Sequence, residues 1–288
     1  MMIKEKFNNM KKFGFTLAEV LITLGIVGVV AALTTPALYH NAGLAQVGPK
    51  LAKVKSTIEN ANKMMLQENE VGMLSTLFMD LYYDFIRNNA QVSSTDVDNL
   101  YIERLQDRMR LERGQLLDDS YRISAYDGTN IPNDQTFDVE FSSRRQDYVD
   151  AVPIRRPSWR TAEEMKLGFQ LFMDFDRMSQ GSDHNGNPAI DEFMGVIYVD
   201  INGNAGPNRC GKDIFAFILI NDGSLLPFGT SATTVVNGNA VFRQKKPMRA
   251  AAACPDANGN VLSTRAGGYG LSCTAKIFED NLRVTYED

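Results

Sequence analysis

The hydrophobic pattern changes character along the chain, and each change predicts a different element. From Phe15 to Leu38 the run FTLAEVLITLGIVGVVAALTTPAL is apolar on every side and holds a single carboxylate, Glu19. A helix with no polar face is not an ordinary surface helix. Roughly 20–24 residues at 1.5 Å each are enough to cross a bilayer core. From Val47 the period becomes helical and one-sided: Val47, Leu51, Val54, Ile58, Ala61 and Met65 recur at three- and four-residue steps. These segments predict one long helix to about Glu68. Pro36, which lacks an N–H, should kink or open it, and Gly43, Gly48 and Pro49 predict a bend or break near Gly48-Pro49.

Helical spacing returns between Met73 and Asn88 (Leu74, Leu77, Phe78, Leu81, Phe85) and between Val97 and Arg113. The run Ser93-Ser94-Thr95-Asp96 offers an N-cap for the second helix and Gly114 a stop. From Tyr121 onward, short apolar runs and turn residues predict strands. Tyr121–Ala125 leads into the turn Asp127–Asn130. Phe193–Ile201 and Ile214–Ile220 read as strong strands, and the turn Asn221-Asp222-Gly223 leads to Leu225–Phe228. The last strands are expected at Ala240–Arg243 and Ala275–Tyr286. The fold class is therefore α+β: a long N-terminal helix, an antiparallel sheet and a helical insertion.

Charge sharpens the reading of the N-terminus. Lys4, Lys6, Lys11 and Lys12 stand against only Glu5 ahead of the apolar run, which keeps that end cytoplasmic and sends the rest across the membrane. The net charge of -5 argues against bulk non-specific binding of nucleic acid, so nucleic acid is not an expected partner. A secretory signal cut near Thr35-Pro36-Ala37 would share the basic start, but Glu19 in its core and a proline at the cut count against it. A plain anchor explains the span and leaves Glu19 unexplained. An unpaired ionised carboxylate in hydrocarbon costs on the order of 3 kcal/mol even on mild insertion scales.

Lys11-Lys12-Phe13-Gly14-Phe15-Thr16-Leu17-Ala18-Glu19 resembles the class III signal of type IV prepilins and type II secretion pseudopilins. The resemblance implies cleavage after Gly14 by a prepilin peptidase, methylation of Phe15, and assembly of filaments through the N-terminal helix. In that arrangement Glu19 pairs with the Phe15 amine of a neighbouring subunit. It also implies the partners: other pilins or pseudopilins and an inner-membrane assembly platform. The chain then divides into a leader (1–14), a transmembrane and filament-core half-helix (15–38), an outer half-helix (39–68) and an extracytoplasmic head (69–288). Its job is structural, as a pseudopilin or minor pilin, and the bulky head favours a low-copy or tip subunit. The rival is a membrane-anchored enzyme or binding protein, or a DNA-uptake or adhesive pilin. No nucleophile motif or phosphate loop appears, so no enzyme is expected.

Small sites are fewer. Asp200, Asn202, Asn204 and Asp213 form an oxygen-rich loop that suits a hard cation such as Ca²⁺, and some pseudopilins carry calcium in a similar place. The alternative is an Asx-rich hairpin that needs no ion. No cofactor is required on either reading. The loop from Asp183 to Asp191 contains His184, but the only other histidine, His40, is remote, so zinc is not expected. Type IV pilins often carry a C-terminal disulfide loop, which favours Cys254 with Cys273, while pairings through Cys210 stay open. Arg144, Arg145, Arg155, Arg156 and Arg160, interleaved with Tyr148 and Trp159, have the composition of a stacking surface for nucleic acid, or of a solvated loop.

Overall fold

The computed structural model describes residues 15–79, 94–109, 111, 123–131, 136–142, 147–153, 158–162, 165–171, 193–203, 205–229, 233–236, 239–243, 254 and 269–286. The chain divides into two compact units, Met1–Ala45 and Gln46–Asp288. Helix α1 runs unbroken over Leu17–Glu68. The expected break at Gly48-Pro49 is absent, and the helix includes both Pro36 and Pro49.

In the second unit, five strands form one antiparallel sheet in chain order: β3 (Ser158–Ala162), β4 (Met165–Leu171), β5 (Phe193–Asp200), β6 (Ile214–Ile220) and β7 (Leu225–Pro227). Two further hairpins stand outside it, β1 (Thr136–Ser142) with β2 (Asp147–Pro153), and β8 (Thr233–Val236) with β9 (Asn239–Arg243). Strands β5, β6 and β7 lie where the apolar runs place them. Strands β1 to β4 carry charges or a glycine that interrupt their apolar pattern, and β8 is only four residues long, so no run in the sequence predicts them.

The sheet explains why β6 reads as a continuous apolar run. Phe215, Phe217 and Leu219 join the α1 stripe in one core. Ile214, Ala216, Ile218 and Ile220 face a second core with Tyr198, Trp159, Phe228, Tyr269 and Leu271. A strand covered on both faces has no position left for a polar residue. The α1 stripe behaves as its spacing requires: Val47, Leu51, Val54, Ile58, Ala61 and Met65 are all buried.

Helix α2 (Ser94–Gln106) buries Val97, Tyr101, Ile102 and Leu105 at helical spacing. It is shorter than predicted, and Gly114 lies outside the described residues. Of the helix expected at Met73–Asn88, the structure shows a 3-10 turn at Leu74–Phe78, and residues 80–93 lie outside the description. Of the strand expected at Tyr121–Ala125, residues 121 and 122 lie outside the description, and Ser124 makes isolated bridges to Asn130, around the expected turn, and to Arg209. The strand expected at Ala275–Tyr286 is instead helix α3 (Cys273–Glu279) followed by an irregular tail. Its Cys273, Thr274, Ala275 and Ile277 are buried, and Ala275 donates its N–H to the Phe228 carbonyl at 3.2 Å.

Buried polar groups fix how these elements dock. Asn62 of α1 is fully buried. Its Nδ2 donates to the Gly223 carbonyl at 2.9 Å, and its Oδ1 accepts from the Tyr101 hydroxyl at 2.8 Å. One amide thus ties α1 to the β6–β7 turn and to α2. Gly223 has φ of +85°, and a Cβ there would come within 2.9 Å of the Asn62 Cβ, so the turn needs glycine on both counts. Asn62→Ala would strand a buried hydroxyl and a buried carbonyl, at about 1–3 kcal/mol for each unsatisfied group. Urea unfolding of the head should report a loss of about 3 kcal/mol, and a wild-type midpoint would show that these bonds carry nothing.

Candidate functional site

The apolar side chains of the N-terminal segment of α1 are exposed among the described residues. Phe15 is 86% exposed, Leu17 78% and Leu33 75%, with Leu21, Leu24 and Val27 also exposed. Leu17–Thr35 is the one candidate membrane span among the described residues, by length and composition. Two of its hydroxyls are satisfied within the helix. Thr23 Oγ1 donates to the carbonyls of Glu19 and Val20 at 2.9 and 3.0 Å, and Thr34 Oγ1 donates to Val30 at 2.9 Å. This back-bonding is how hydroxyl side chains are satisfied within an apolar helix.

Glu19 is held in a reciprocal arrangement at the helix start. The backbone N–H and the hydroxyl of Thr16 both donate to Glu19 Oε2, at 2.8 and 2.9 Å. The backbone N–H of Glu19 donates back to Thr16 Oγ1 at 3.2 Å. This is a capping box, Thr-x-x-Glu, which satisfies two of the orphan N–H groups of a helix N-terminus. The Thr16-x-x-Glu19 spacing is present in the sequence and marks the helix start.

The family comparison bears on this same segment. The chain carries a prokaryotic N-terminal methylation motif. The match spans residues 9–35, so it includes the Gly14-Phe15 junction, the capping box and the apolar run as far as Thr35. No curated protein and no solved structure matches the chain. The motif is the prepilin-type cleavage and methylation signal, and it supports a pilin-like or pseudopilin protein processed by a prepilin peptidase. A long N-terminal helix, a five-stranded antiparallel sheet and further helices are consistent with an α+β pilin-like fold. Gly14 itself lies outside the described residues.

The oxygen-rich loop joins β5 to β6. Asp200, at the end of β5, accepts through Oδ1 the backbone N–H groups of Asn202 and Gly203 at 3.1 and 2.8 Å. Asp213 accepts the N–H of Arg209 at 2.5 Å, the N–H of Asn208 at 2.7 Å and the Asn202 side-chain amide at 3.3 Å. Burial pushes the Asp213 carboxyl up, and these donors pull it back. Lys166 stands opposite Asp200 on β4, where burial lowers its pKa and the Asp200 charge opposes that shift. The loop is thus an Asx-capped turn closed largely by its own donors. Among the described residues of the loop, Asn202 Oδ1 and Asn208 Oδ1 are buried without a hydrogen-bond partner. Among the described residues no group of three or more His, Cys, Asp or Glu converges on a metal position. Asn204 and the His184 loop lie outside the described residues.

Cys254 and Cys273 form a disulfide with a Cα separation of 4.8 Å, anchoring the first residue of α3. Cys210 is free and buried; burial, with the nearby Asp213 charge, pushes its thiol up, so it packs as a small apolar side chain. Of the arginine-rich segment, the structure describes the side chains of Trp159 and Arg160. Trp159 is buried and packs against Tyr198 at 6.3 Å between ring centroids, so it is not available to stack on a base. Arg160 donates to the Trp159 carbonyl at 2.8 Å and to Asn99 Oδ1 at 3.3 Å. Arg144, Arg145, Arg155 and Arg156 lie outside the described residues, as does the Tyr148 side chain.

Proposed function

We propose that this chain is a structural filament subunit, either a pseudopilin of a type II secretion machine or a minor pilin of a type IV pilus. The observation that carries the reading is the start of the N-terminal helix, apolar on all sides, exposed among the described residues, and opening with one carboxylate at the methylation motif. Such a helix needs lipid first and other helices afterwards. Cleavage after Gly14 removes the lysines and creates an amine on Phe15. Glu19 of one subunit and the Phe15 amine of another, each costly alone in an apolar core, reduce that cost by pairing and bias the helices to one axial register. Gly25 and Gly28 have open space around them, which suits close helix approach. The N-terminus is cytoplasmic and the head extracytoplasmic before assembly. The inner-membrane assembly platform draws the subunit into a periplasmic or surface filament.

Mass spectrometry of the membrane-extracted native protein tests the processing. The expected mature chain begins at N-methylated Phe15. A chain beginning near Leu38 means ordinary secretion, and an intact leader in cells with active prepilin peptidase means a simple anchor.

A second, narrower proposal concerns the β5–β6 loop. The unmatched Oδ1 atoms of Asn202 and Asn208, beside the Asp213 carboxylate, suit a hard cation. Because Lys166 and the loop N–H groups already serve the carboxylates, the affinity should be weak, on the order of 10⁻³ M. Millimolar Ca²⁺ should raise the melting temperature of the head by a few degrees through mass action, on the order of 1 kcal/mol. Chelator and Mg²⁺ serve as controls. An unchanged melting temperature would leave an Asx turn only.

A further inference from the structure

We infer that the C-terminal tail, residues 280–286, is a strap that holds helix α1 closed at Gly48-Pro49, and that α1 opens there, within the head, when the strap comes off. This inference does not rest on the filament reading. By its own chemistry the pair is the weakest point of the buried part of α1. Pro49 has no N–H to give to the Ala45 carbonyl, and its ring disfavours helical backbone at the residue before it. That residue is Gly48, and glycine is, after proline, the poorest helix former. The helix nevertheless runs through both.

What lies over this point comes from the far end of the chain. A Cβ on Gly48 would meet the carbonyl carbon of Leu282 at 2.6 Å and its Cα at 2.8 Å, so the tail backbone crosses α1 in direct contact. The crossing is held from both sides. On one side Leu282 donates its N–H to the Ile277 carbonyl of α3 at 2.8 Å. On the other, Tyr286 is buried, its hydroxyl donates to the Gly211 carbonyl at 2.8 Å, and its ring meets Tyr126 at 6.4 Å between centroids. Tyr286 and Val284 pack on the same core as Val47 and Leu51, which flank the weak pair. Asn281 and Leu282, at φ of 56° and 65°, lead the chain into the crossing. Asparagine takes the left-handed region readily and leucine does not. A residue held there marks a place where the surroundings dictate the backbone. The contact that bends the tail is therefore the contact that covers the weak point of the helix, and docking of one goes with closure of the other.

Amide hydrogen exchange on the full chain in micelles tests the strap. In an α-helix the N–H groups of Leu51 and Ala52 bond to the Val47 and Gly48 carbonyls, so they report opening at the weak pair. The amides of Ile58 and Ala61 report the rest of the buried helix. Tyr286→Phe removes the hydroxyl bond and keeps the ring, and exchange at Leu51 and Ala52 should rise about fivefold. Tyr286→Ala removes the anchor, and exchange there should rise about a hundredfold. Ile58 and Ala61 should exchange at the wild-type rate in both. Pro49 is exposed, so Pro49→Ala supplies the missing N–H without disturbing the core. Added to Tyr286→Ala, it should restore protection at Leu51 and Ala52. Should Tyr286→Ala fail to fold, Tyr286→Phe with and without Pro49→Ala gives the same comparison. Wild-type exchange at Leu51 and Ala52 in the Tyr286 variants would overturn the strap. So would an equal rise at Leu51 and Ile58, because the tail would then be one more part of a single cooperative core. If Pro49→Ala restores nothing, the opening does not arise at the weak pair and the inference fails.

Discussion

Glu19→Ala is expected to lower incorporation into filaments by about a hundredfold while cleavage after Gly14 proceeds. The estimate follows from the partner left behind. An amine stranded in an apolar core without its carboxylate costs roughly 3 kcal/mol on a mild insertion scale, which is about two orders of magnitude in an equilibrium constant. The substitution also removes the capping box, whose two bonds to Oε2 belong to the helix start. Quantifying mature protein in sheared filaments and in membranes, in cells expressing the native system, gives the number. A variant that is processed and assembled at the wild-type level would mean that assembly does not need the Glu19 carboxylate, and absence of the wild-type protein from the filament fraction would mean that the helix is an anchor only.

Gly48→Ala should destabilise the head, against what helix propensity alone predicts. Alanine in a helix interior is favoured over glycine by about 1 kcal/mol. In this fold, however, a Cβ at position 48 would run into the carbonyl oxygen of Leu282 and come within 2.6 Å of its carbonyl carbon. These are backbone atoms, which cannot turn aside. The tail holding them is well anchored: Leu282 donates its N–H to Ile277 at 2.8 Å, and the Tyr286 hydroxyl donates to the Gly211 carbonyl at 2.8 Å. Asn281 and Leu282 lie at φ of 56° and 65°, in the left-handed region, so the tail is bent to make this crossing. Overpacking of this kind costs about 1–3 kcal/mol or more, which exceeds the propensity gain. A fall in melting temperature of about 5 °C is expected for a domain of this size. In a chain truncated after Asp280 the sign should reverse, with alanine neutral or stabilising. A stabilising Gly48→Ala in the full chain would show that the tail does not hold this position.

The same glycine shows where reading the sequence runs out. Gly48-Pro49 looks like punctuation, because glycine and proline are the residues that end helices. The helix continues, and the glycine serves a segment more than two hundred residues away. Nothing local to position 48 encodes that contact. The C-terminal segment fails for a related reason. Over Cys273–Glu279 the alternation of Ala275 and Ile277 with Lys276 is too short to separate a period of two from one of 3.6. What decides for helix is the disulfide at its first residue and burial beside β6 and β7. Trp159, which sequence grouped with arginines, belongs to the second core, because β3 is paired to β4 and faces Tyr198.

By itself the sequence determined whatever depends on periodicity and on the cost of charge. It specified the helix that no water can solvate, the carboxylate that needs a partner, the buried stripe from Val47 to Met65 and the central strands β5 and β6. Those properties belong to residues within a few positions of one another, so spacing alone carries them. The tertiary structure decided what depends on distant pairs. It matched Asn62 with Gly223 and Tyr101, Gly48 with Leu282, Cys254 with Cys273, and Asp200 with Lys166. Such partners are chosen by the closing of the chain on itself, where a buried polar group or an added methyl is tolerated only if one specific remote atom is in place.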